Sequence, residues 1–462
     1  MAAFGKKKKA SEFPDVIPVS EAIRKGDIFT KLTCLIMGAG NLARKQIIQG
    51  LLFLAGELAY ILYMVFFGAK ALQNFVTLGT ETQKKVFNEA TQVYEYATGD
   101  NSQLCLLYGV VTIFVTIGFI LLWRGAIRSS YIAQKAQEAG KKPITFGQIL
   151  KDLKDNRMYQ LFLFFPFLGI ILFTVMPLAF MILMAFTNYD RDHLPPGQLF
   201  DWIGFQNFAR VLNAGGALGE TFWKVLGWTI IWAIFATFLN YIFGIILAII
   251  INREGTKFKA FWRFIFVLTI AVPQFVSLLV VNTMIQEHGV FNLLLKELFD
   301  VGPLPFLTNV TWARVTVIVI NLWVGIPYTL LAVTGILKNI PAELYEAAKV
   351  DGANAFVTFF KITMPYMMFV MTPNLITTFT GNINNFNVIY LLTNGAPACD
   401  TYYRGTAGKT DLLVTWLYKL TIDNKDYNLG AVIGILTFVL MATLSLITYR
   451  RTGSYKNEEG FS

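Results

Sequence analysis

The sequence is poor in charge, histidine and cysteine, and each shortage excludes a class of protein. Charged residues make up 15% of the 462 residues, whereas a soluble domain carries about 25%. Only His193 and His288 could supply imidazole, which is too little for a metal centre or for acid–base catalysis. The cysteines, Cys34, Cys105 and Cys399, are odd in number and scattered, so they predict no disulfide framework. We therefore predict no catalytic residue, no metal ligand and no cofactor bound by this chain.

Apolar side chains are abundant, and their number indicates a membrane protein. Hydrophobic residues make up 55% of the chain, Phe occurs 41 times, and the mean hydropathy is +0.53. One soluble core could not hide so much apolar surface, and the low hydropathy and high charge that keep chains disordered are both missing. The composition thus predicts an all-α, polytopic membrane helix bundle.

Eight stretches are apolar and long enough to cross a bilayer as helices, which takes about 20 residues each. They cover residues 47–68, 104–123, 159–186, 225–251, 264–285, 315–337, 366–392 and 429–449. Residues 28–43 are shorter and contain Lys31, which favours an interfacial helix over a ninth span. The loops at 187–224 and 393–428 are rich in Pro, Gly, Asn and aromatic residues, which indicates small structured segments.

The net charge of +10 arises from basic residues concentrated on one side of these spans. If the N-terminus is cytoplasmic, 27 of the 39 Lys and Arg residues lie in inner segments and 12 in outer segments. The positive-inside rule expects this asymmetry, which explains the charge without a nucleic-acid partner. We predict a multi-pass protein of the cell membrane with both termini in the cytoplasm. Lys6 to Lys9 would be an inner anchor that attracts anionic membrane lipid.

Amide side chains are concentrated in the sixth and seventh predicted spans. The sixth contains Asn321, Trp323, Gly325, Pro327 and Tyr328, and the seventh contains Gly381, Asn382, Asn384, Asn385 and Asn387. Amides at membrane depth are costly unless they meet partners or water, and Pro and Gly free further backbone groups. Such segments are tolerated where they line a cavity, and amides with aromatic faces suit an uncharged, hydroxyl-rich ligand such as a sugar. Hydrogen bonding between helices is the alternative.

Formal charge is almost missing from the predicted spans, where Glu57 stands alone. Ion-coupled carriers place ionisable groups in the membrane interior as their coupling device. The shortage therefore argues against an ion-coupled secondary carrier or channel for a neutral polar solute, which stays as the alternative function. Glu57 could be functional or could be a carboxylate held by a neighbour. A membrane-bound enzyme has no nucleophile–base or metal constellation to support it.

The cytoplasmic loop between the sixth and seventh spans has the pattern of a compact helix-turn-helix. Pro341 suits a first helical turn, and Glu346 lies near the positive end of that helix. Gly352 suits the left-handed conformation that ends a helix, and a second short helix would follow before Pro365. A rigid helix pair of this kind could transmit motion from a soluble partner to the spans.

This loop resembles the signature of the permease subunits of binding-protein-dependent ABC importers, which is E-A-A, three residues, G, nine residues, I-x-L-P. The matching residues are Glu346, Ala347, Ala348, Gly352, Ile362 and Pro365, with Met364 in place of the usual Leu. The full spacing in a loop of a many-span protein is a specific signal. The resemblance extends to the larger, MalF-type permeases of maltose and maltodextrin importers. It is carried by residues 185–189, 321–328, 384–386 and 391–397.

The resemblance implies a type I ABC importer permease fold with a six-helix core at residues 159–449, including a coupling loop at 338–365. Residues 1–46 would be a cytoplasmic segment with the interfacial helix, and 47–158 would hold two accessory spans and a basic cytoplasmic loop. Residues 450–462 would be a cytoplasmic tail.

The resemblance also implies function and partners. The chain would be a non-catalytic permease subunit that translocates maltodextrin-like oligosaccharides across a bacterial cell membrane. A smaller, MalG-like permease, two cytoplasmic ATPase subunits that hold ATP and Mg²⁺, and an extracytoplasmic sugar-binding protein would complete the importer. The residues that would couple to the ATPases are Glu346, Ala347, Ala348 and Gly352.

The positions that match the sugar contacts of the family are Gly325, Tyr328, Gly381, Asn382 and Asn385. Gly381 stands where a relative has a bulky aromatic residue, a difference that allows a different pocket shape and leaves room for a different sugar.

Overall fold

A computed structural model describes residues 17–89, 92–253 and 255–450 of the chain. The predicted lipid anchor at Lys6 to Lys9 and residues 451–462 of the predicted tail lie outside the described residues. The described part is a bundle of helices joined by loops, with one short β-hairpin. The prediction of a helical membrane bundle is confirmed.

Within the described residues, seven helices are long and apolar enough to cross a membrane, and the number is eight if a bent pair of helices is counted as one span. They are Ile47–Thr77, Ser102–Glu138, Met158–Met184, Ala217–Asn252, the pair Lys259–Ala271 and Gln274–Met284, Val310–Asn339, Ala355–Leu392 and Tyr427–Arg450. We refer to them as the first to the eighth span. Several run past the predicted stretches, because a helix continues into polar residues after the apolar run ends. The second span, for instance, begins after Asn101, whose side chain accepts hydrogen bonds from the backbone N–H groups of Gln103 and Leu104.

The fifth span differs from the predicted single helix because it bends by 88° between its two halves. The first half ends at Ala271, and the second begins at Gln274 directly after Pro273. Proline has no backbone N–H group, and it pushes the preceding residue out of the helical conformation. Val272 accordingly has an extended backbone, with φ −78° and ψ 125°.

The chain divides into two compact units, of which the first comprises Met1–Leu183 and Asp192–Trp202. The contacts of the third span group it with this first unit. The start of the permease core at residue 159 stays a prediction. Short helices at Val19–Lys25, Ile28–Leu32 and Ala39–Ala43 precede the first span. Residues 28–43 thus form two short helices rather than the single predicted one, since a turn and Gly38, with φ +86°, separate them.

A buried polar network holds these short helices against the second span. The guanidinium of Arg44 donates to both carboxylate oxygens of Asp27 at 2.6 Å, and it donates to the hydroxyl of Ser130 at 3.0 Å. Burial raises the pKa of Asp27, but the hydrogen bonds from Thr30 and Arg44 outweigh it and lower that pKa overall.

Glu57 accepts a hydrogen bond of 2.7 Å from the backbone N–H of Met37, so a neighbour holds this carboxylate.

The loop between the first and second spans contains a β-hairpin that the sequence did not predict. Strand Lys85–Asn88 pairs antiparallel with Val93–Tyr96, and Lys85 faces Tyr96 in the register. Alternating apolar residues are few here, so the pattern for strands is weak. In the same loop, the carboxylate of Asp100 accepts hydrogen bonds from the backbone N–H groups of Thr80 and Glu81. These hydrogen bonds lower the pKa of Asp100.

The second unit comprises Met184–Arg191 and Ile203–Ser462. The fourth span lies at its centre and packs against the sixth and seventh spans. Two apolar clusters form the core, one around Trp232, Leu278 and Ile389 and the other around Tyr241 and Leu330. Shorter helices lie at Gln206–Leu212, Val290–Phe299, Ala342–Val350 and Leu413–Tyr418.

The loop at 393–428 is structured, as the sequence predicts. Trp416 is fully buried, and its indole N–H donates to the hydroxyl of Thr406 at 2.9 Å. The buried carboxylate of Asp411 lies 2.7 Å from the ammonium of Lys419 and also accepts from the hydroxyl of Thr415 at 2.8 Å. These bonds give the loop a polar core of its own.

Candidate functional site

The seventh span is interrupted where the sequence places its cluster of amides. The helix Met364–Ile383 ends there and a second helix, Phe386–Leu392, begins after Asn384 and Asn385. The side-chain oxygen of Asn385 accepts from the backbone N–H of Val388 at 3.3 Å and so caps the second helix. An amide therefore replaces the missing backbone partner at the break.

Asn382 is a structural link between the seventh and fourth spans. Its side chain is buried and donates to the hydroxyl of Thr237 at 2.9 Å, and its backbone oxygen accepts from the indole of Trp232 at 3.0 Å. The side chain of Asn385 donates to the Asn382 side-chain oxygen at 3.4 Å. For Asn382, hydrogen bonding between helices accounts for the amide without a ligand.

Gly325 on the sixth span lies directly against the fourth span. A methyl group in place of its hydrogen would collide with the amide of Asn240. The Asn240 side-chain oxygen and the Asn321 side-chain nitrogen are both buried, and neither has a hydrogen-bond partner among the described residues. Sequence reasoning missed Thr237 and Asn240, although two polar residues three positions apart in an apolar span were a visible signal.

Tyr328 and Trp323 come together at the bend of the fifth span. Both are exposed, and with Val272, Pro273, Gln274 and Ser277 they line a pocket of about 90 Å³. Of the five predicted sugar contacts, this pocket includes Tyr328 alone. Gly381 is exposed, with open space where a side chain would be, and Asn385 is half-buried. The structure thus brings Asn382 and Asn385 together in one place and Tyr328 and Trp323 in another.

Three of the four predicted coupling residues, Glu346, Ala347 and Ala348, lie on a short helix, Ala342–Val350, which we name the coupling helix. Glu346 and Ala347 are exposed, whereas Ala348 is buried. Gly352 follows the helix with φ +73°, a left-handed conformation that glycine adopts without steric strain. Beside the helix, the hydroxyl of Tyr345 lies 3.1 Å from that of Thr363 at the base of the seventh span.

The second helix of this loop differs from the prediction, since it does not end before Pro365. Asn354 caps a helix that begins at Ala355, and it continues without interruption into the seventh span, Ala355–Leu392. Pro365 lies in the first turn of Met364–Ile383. A π-helical turn at Phe359–Thr363, with hydrogen bonds from residue i to residue i+5, precedes Pro365. The helix therefore accommodates this proline without a break.

The described residues contain no group of three His, Cys, Asp or Glu side chains that could hold a metal ion. The site consists of amides, hydroxyls, aromatic rings and apolar walls. These groups can bind a neutral polar molecule by hydrogen bonds and stacking, but they form no nucleophile–base pair.

Comparison with known proteins identifies the family. Residues 240–452 match the family described as binding-protein-dependent transport system inner membrane component. The chain is 36% identical to the galactooligosaccharides transport system permease protein GanP of Bacillus subtilis, over 92% of this chain and 98% of that protein. The chain belongs to this family of importer permeases. The permease is also 34% identical to the maltodextrin transport system permease protein MdxF of Bacillus subtilis, over 93% of this chain and 96% of that protein.

Two further comparisons concern the core and the fold. The permease is 37% identical to the maltose/maltodextrin transport system permease protein MalF of Escherichia coli, over 57% of this chain and 52% of that protein. A chain of a bacterial ABC transporter involved in the import of the acidic polysaccharide alginate shares its fold, with a TM-score of 0.52 and 22% identity. The match covers 66% of this permease and 97% of that chain.

Proposed function

We propose that this permease is the larger transmembrane subunit of an ATP-driven importer for neutral oligosaccharides of the maltodextrin or galacto-oligosaccharide class. The names of its relatives over more than nine-tenths of the chain support this substrate class. The amide and aromatic side chains of the spans suit such a ligand, because paired donors and acceptors match sugar hydroxyls.

The proposed assembly contains a smaller sister permease, two cytoplasmic ATPase subunits and an extracytoplasmic sugar-binding protein. ATP and Mg²⁺ are held by the ATPase subunits, and this chain binds no cofactor. In the proposed orientation both termini lie on the cytoplasmic side of a bacterial cell membrane, which the excess of basic residues in the inner segments supports. In this orientation the coupling helix faces the cytoplasm, and the loops at 187–224 and 393–428 face outward.

The observation that carries the proposal is the exposure of Glu346 and Ala347 on a helix anchored at its opposite face. Ala348 packs inward, and Tyr345 is bonded to Thr363 at the start of the seventh span. A force on the exposed face therefore reaches the seventh span through packed groups. Closure of the ATPases would open the spans outward, and ATP hydrolysis would return them.

We assign the sugar contacts of the transport pathway to Gly325, Tyr328, Gly381, Asn382 and Asn385. Tyr328 offers an exposed ring face, and Asn385 has a partly accessible amide. Gly381 leaves open space for a sugar ring. Gly325 and Asn382 contact the fourth span in the present conformation, so they would reach the sugar only after the spans move.

The test replaces Glu346 by Ala in the complete importer reconstituted in liposomes. We expect ATP-dependent oligosaccharide uptake to fall at least ten-fold while the permease still inserts and assembles with its sister subunit. Glu343→Ala is the matched control, because Glu343 is an exposed acid on the same helix. Unchanged uptake in the Glu346 variant would contradict the coupling role. Uptake driven by an ion gradient through this chain alone would instead support a secondary carrier.

A further inference from the structure

A second, larger pocket, open to the surface, lies at the end of the second helix of the fifth span, Gln274–Met284. Its volume is about 630 Å³, within the range of roughly 300–1,000 Å³ typical of small-molecule sites. We name it the amide cup and define it by Asn282, Gln286, Thr308, Tyr390 and Asn394. The pocket at Tyr328, at about 90 Å³, holds far less.

The walls of the amide cup are held in place by the core of the second unit. Asn282 donates to the backbone oxygen of Leu392 at 2.6 Å, which joins the end of the fifth span to the end of the seventh. Behind this bond, Leu278 and Ile389 are buried in the same apolar cluster. The cup is therefore preformed, and a ligand would not have to order its walls.

Tyr390 forms an aromatic wall that is fixed from two sides. Its ring stacks on Phe386 with the centroids 4.7 Å apart, and it meets Tyr418 edge to face at 5.2 Å. A rigid aromatic surface loses little conformational entropy when a ligand packs on it. It suits the flat, apolar face of a sugar ring.

Polar groups in the cup are free to bind a ligand. The side chains of Gln286, Thr308 and Asn394 are exposed, and within the described residues the only hydrogen bond they make is from Gln286 to Asn282 at 3.3 Å. The ammonium of Lys419 donates to the backbone oxygen of Asn394 at 2.8 Å and fixes its position. The cup thus offers two amides and a hydroxyl, each able to donate and accept.

The lining carries no formal charge among its described residues, and the ammonium of Lys419, which contacts Asn394, is already paired with the carboxylate of Asp411. An ionic ligand would remain uncompensated there, whereas a neutral hydroxyl-rich ligand would find partners for its hydroxyl groups. Thr308 lines the cup just before the sixth span begins at Val310, and Tyr328 lines the smaller pocket further along the same helix. About 18 residues at 1.5 Å each separate Val310 from Tyr328, or roughly 27 Å, which an oligosaccharide of several units can bridge and a disaccharide cannot.

We propose that the amide cup is a carbohydrate subsite that holds the trailing units of a longer neutral oligosaccharide while its leading unit enters the pocket at Tyr328. This inference rests on the proposed function, and it adds a second site that selects for chain length. A disaccharide gains nothing from the cup, because it is too short to occupy both places.

The test compares uptake of a disaccharide with that of longer members of the same series, up to the heptasaccharide. The complete importer in liposomes, saturated with its binding protein, is supplied with maltodextrins and with galacto-oligosaccharides. The variants Gln286→Met and Thr308→Val remove polar groups while they preserve volume. We expect each to lower the ratio of heptasaccharide to disaccharide uptake about five-fold, as for one lost hydrogen bond. Gln198→Ala, an exposed amide outside the cup, should leave this ratio unchanged.

Three other outcomes would overturn the inference in distinguishable ways. Normal wild-type uptake with the same ratio in both variants would remove the cup as a sugar subsite and leave the proposed function intact. An equal loss for every chain length, with weaker binding of the sugar-binding protein to the complex, would assign the cup to protein docking. No uptake of either series by the wild-type importer would overturn the proposed function together with the cup. Thermal unfolding of each variant separates these results from misfolding.

Discussion

The indole nitrogen of Trp232 donates a hydrogen bond of 3.0 Å to the backbone oxygen of Asn382, next to the break in the seventh span. Trp232 is fully buried on the fourth span. The last carbonyl groups of a helix lack partners within the helix, and this indole supplies one at membrane depth. The fourth span therefore stabilises the interruption from which Asn385 projects.

We predict that Trp232→Phe destabilises the permease by about 0.5–1.5 kcal/mol, because the Asn382 oxygen loses its indole donor and keeps the backbone N–H of Asn385 at 3.2 Å. Thermal unfolding of the purified protein in detergent measures the change. Trp223→Phe is the matched control, since Trp223 lies on the same span and donates to the oxygen of Leu212, but is 46% exposed. Equal destabilisation by both substitutions would contradict the proposed importance of the buried bond.

Tyr328 and Asn382 should respond differently to replacement by Ala. Tyr328 is 58% exposed, so we predict that Tyr328→Ala lowers oligosaccharide uptake about five-fold or more with little change in unfolding temperature. Asn382→Ala removes the partner of Thr237 and should lower both uptake and stability, the latter by about 1–3 kcal/mol. Uptake assays and unfolding curves on the same preparations distinguish the two effects. Full uptake in the Tyr328 variant would place the sugar elsewhere.

The ion pair in the loop at 393–428 should matter more than ion pairs at the surface. Asp411→Asn leaves the ammonium of Lys419, which is 14% exposed, without its carboxylate. Breaking a buried pair costs about 3–5 kcal/mol, and we predict a corresponding fall in the free energy of unfolding. Glu220→Gln breaks an exposed pair with Lys224 and should leave stability unchanged. A stable Asp411 variant would show that the loop does not depend on this pair.

The sequence predicted the class of the protein and the approximate places of its spans, since hydropathy is a local property of each segment. It also predicted the coupling helix, where Pro341 and Gly352 mark the two ends by their own backbone preferences. The site residues were harder to predict. They were identified by residue type and by resemblance, and their roles as sugar contacts stay predictions.

What the sequence determined by itself is the approximate places of the membrane spans and the chemistry available on them. The tertiary structure decided which polar groups bind each other, such as Asn382 with Thr237, and which stay accessible, such as Tyr328. It also decided the bend at Pro273 and the amide cup. A helix that is apolar all round, like the fourth span, does not reveal which face will be buried. Only packing against neighbouring spans selects that face, and with it the polar atoms left for a ligand.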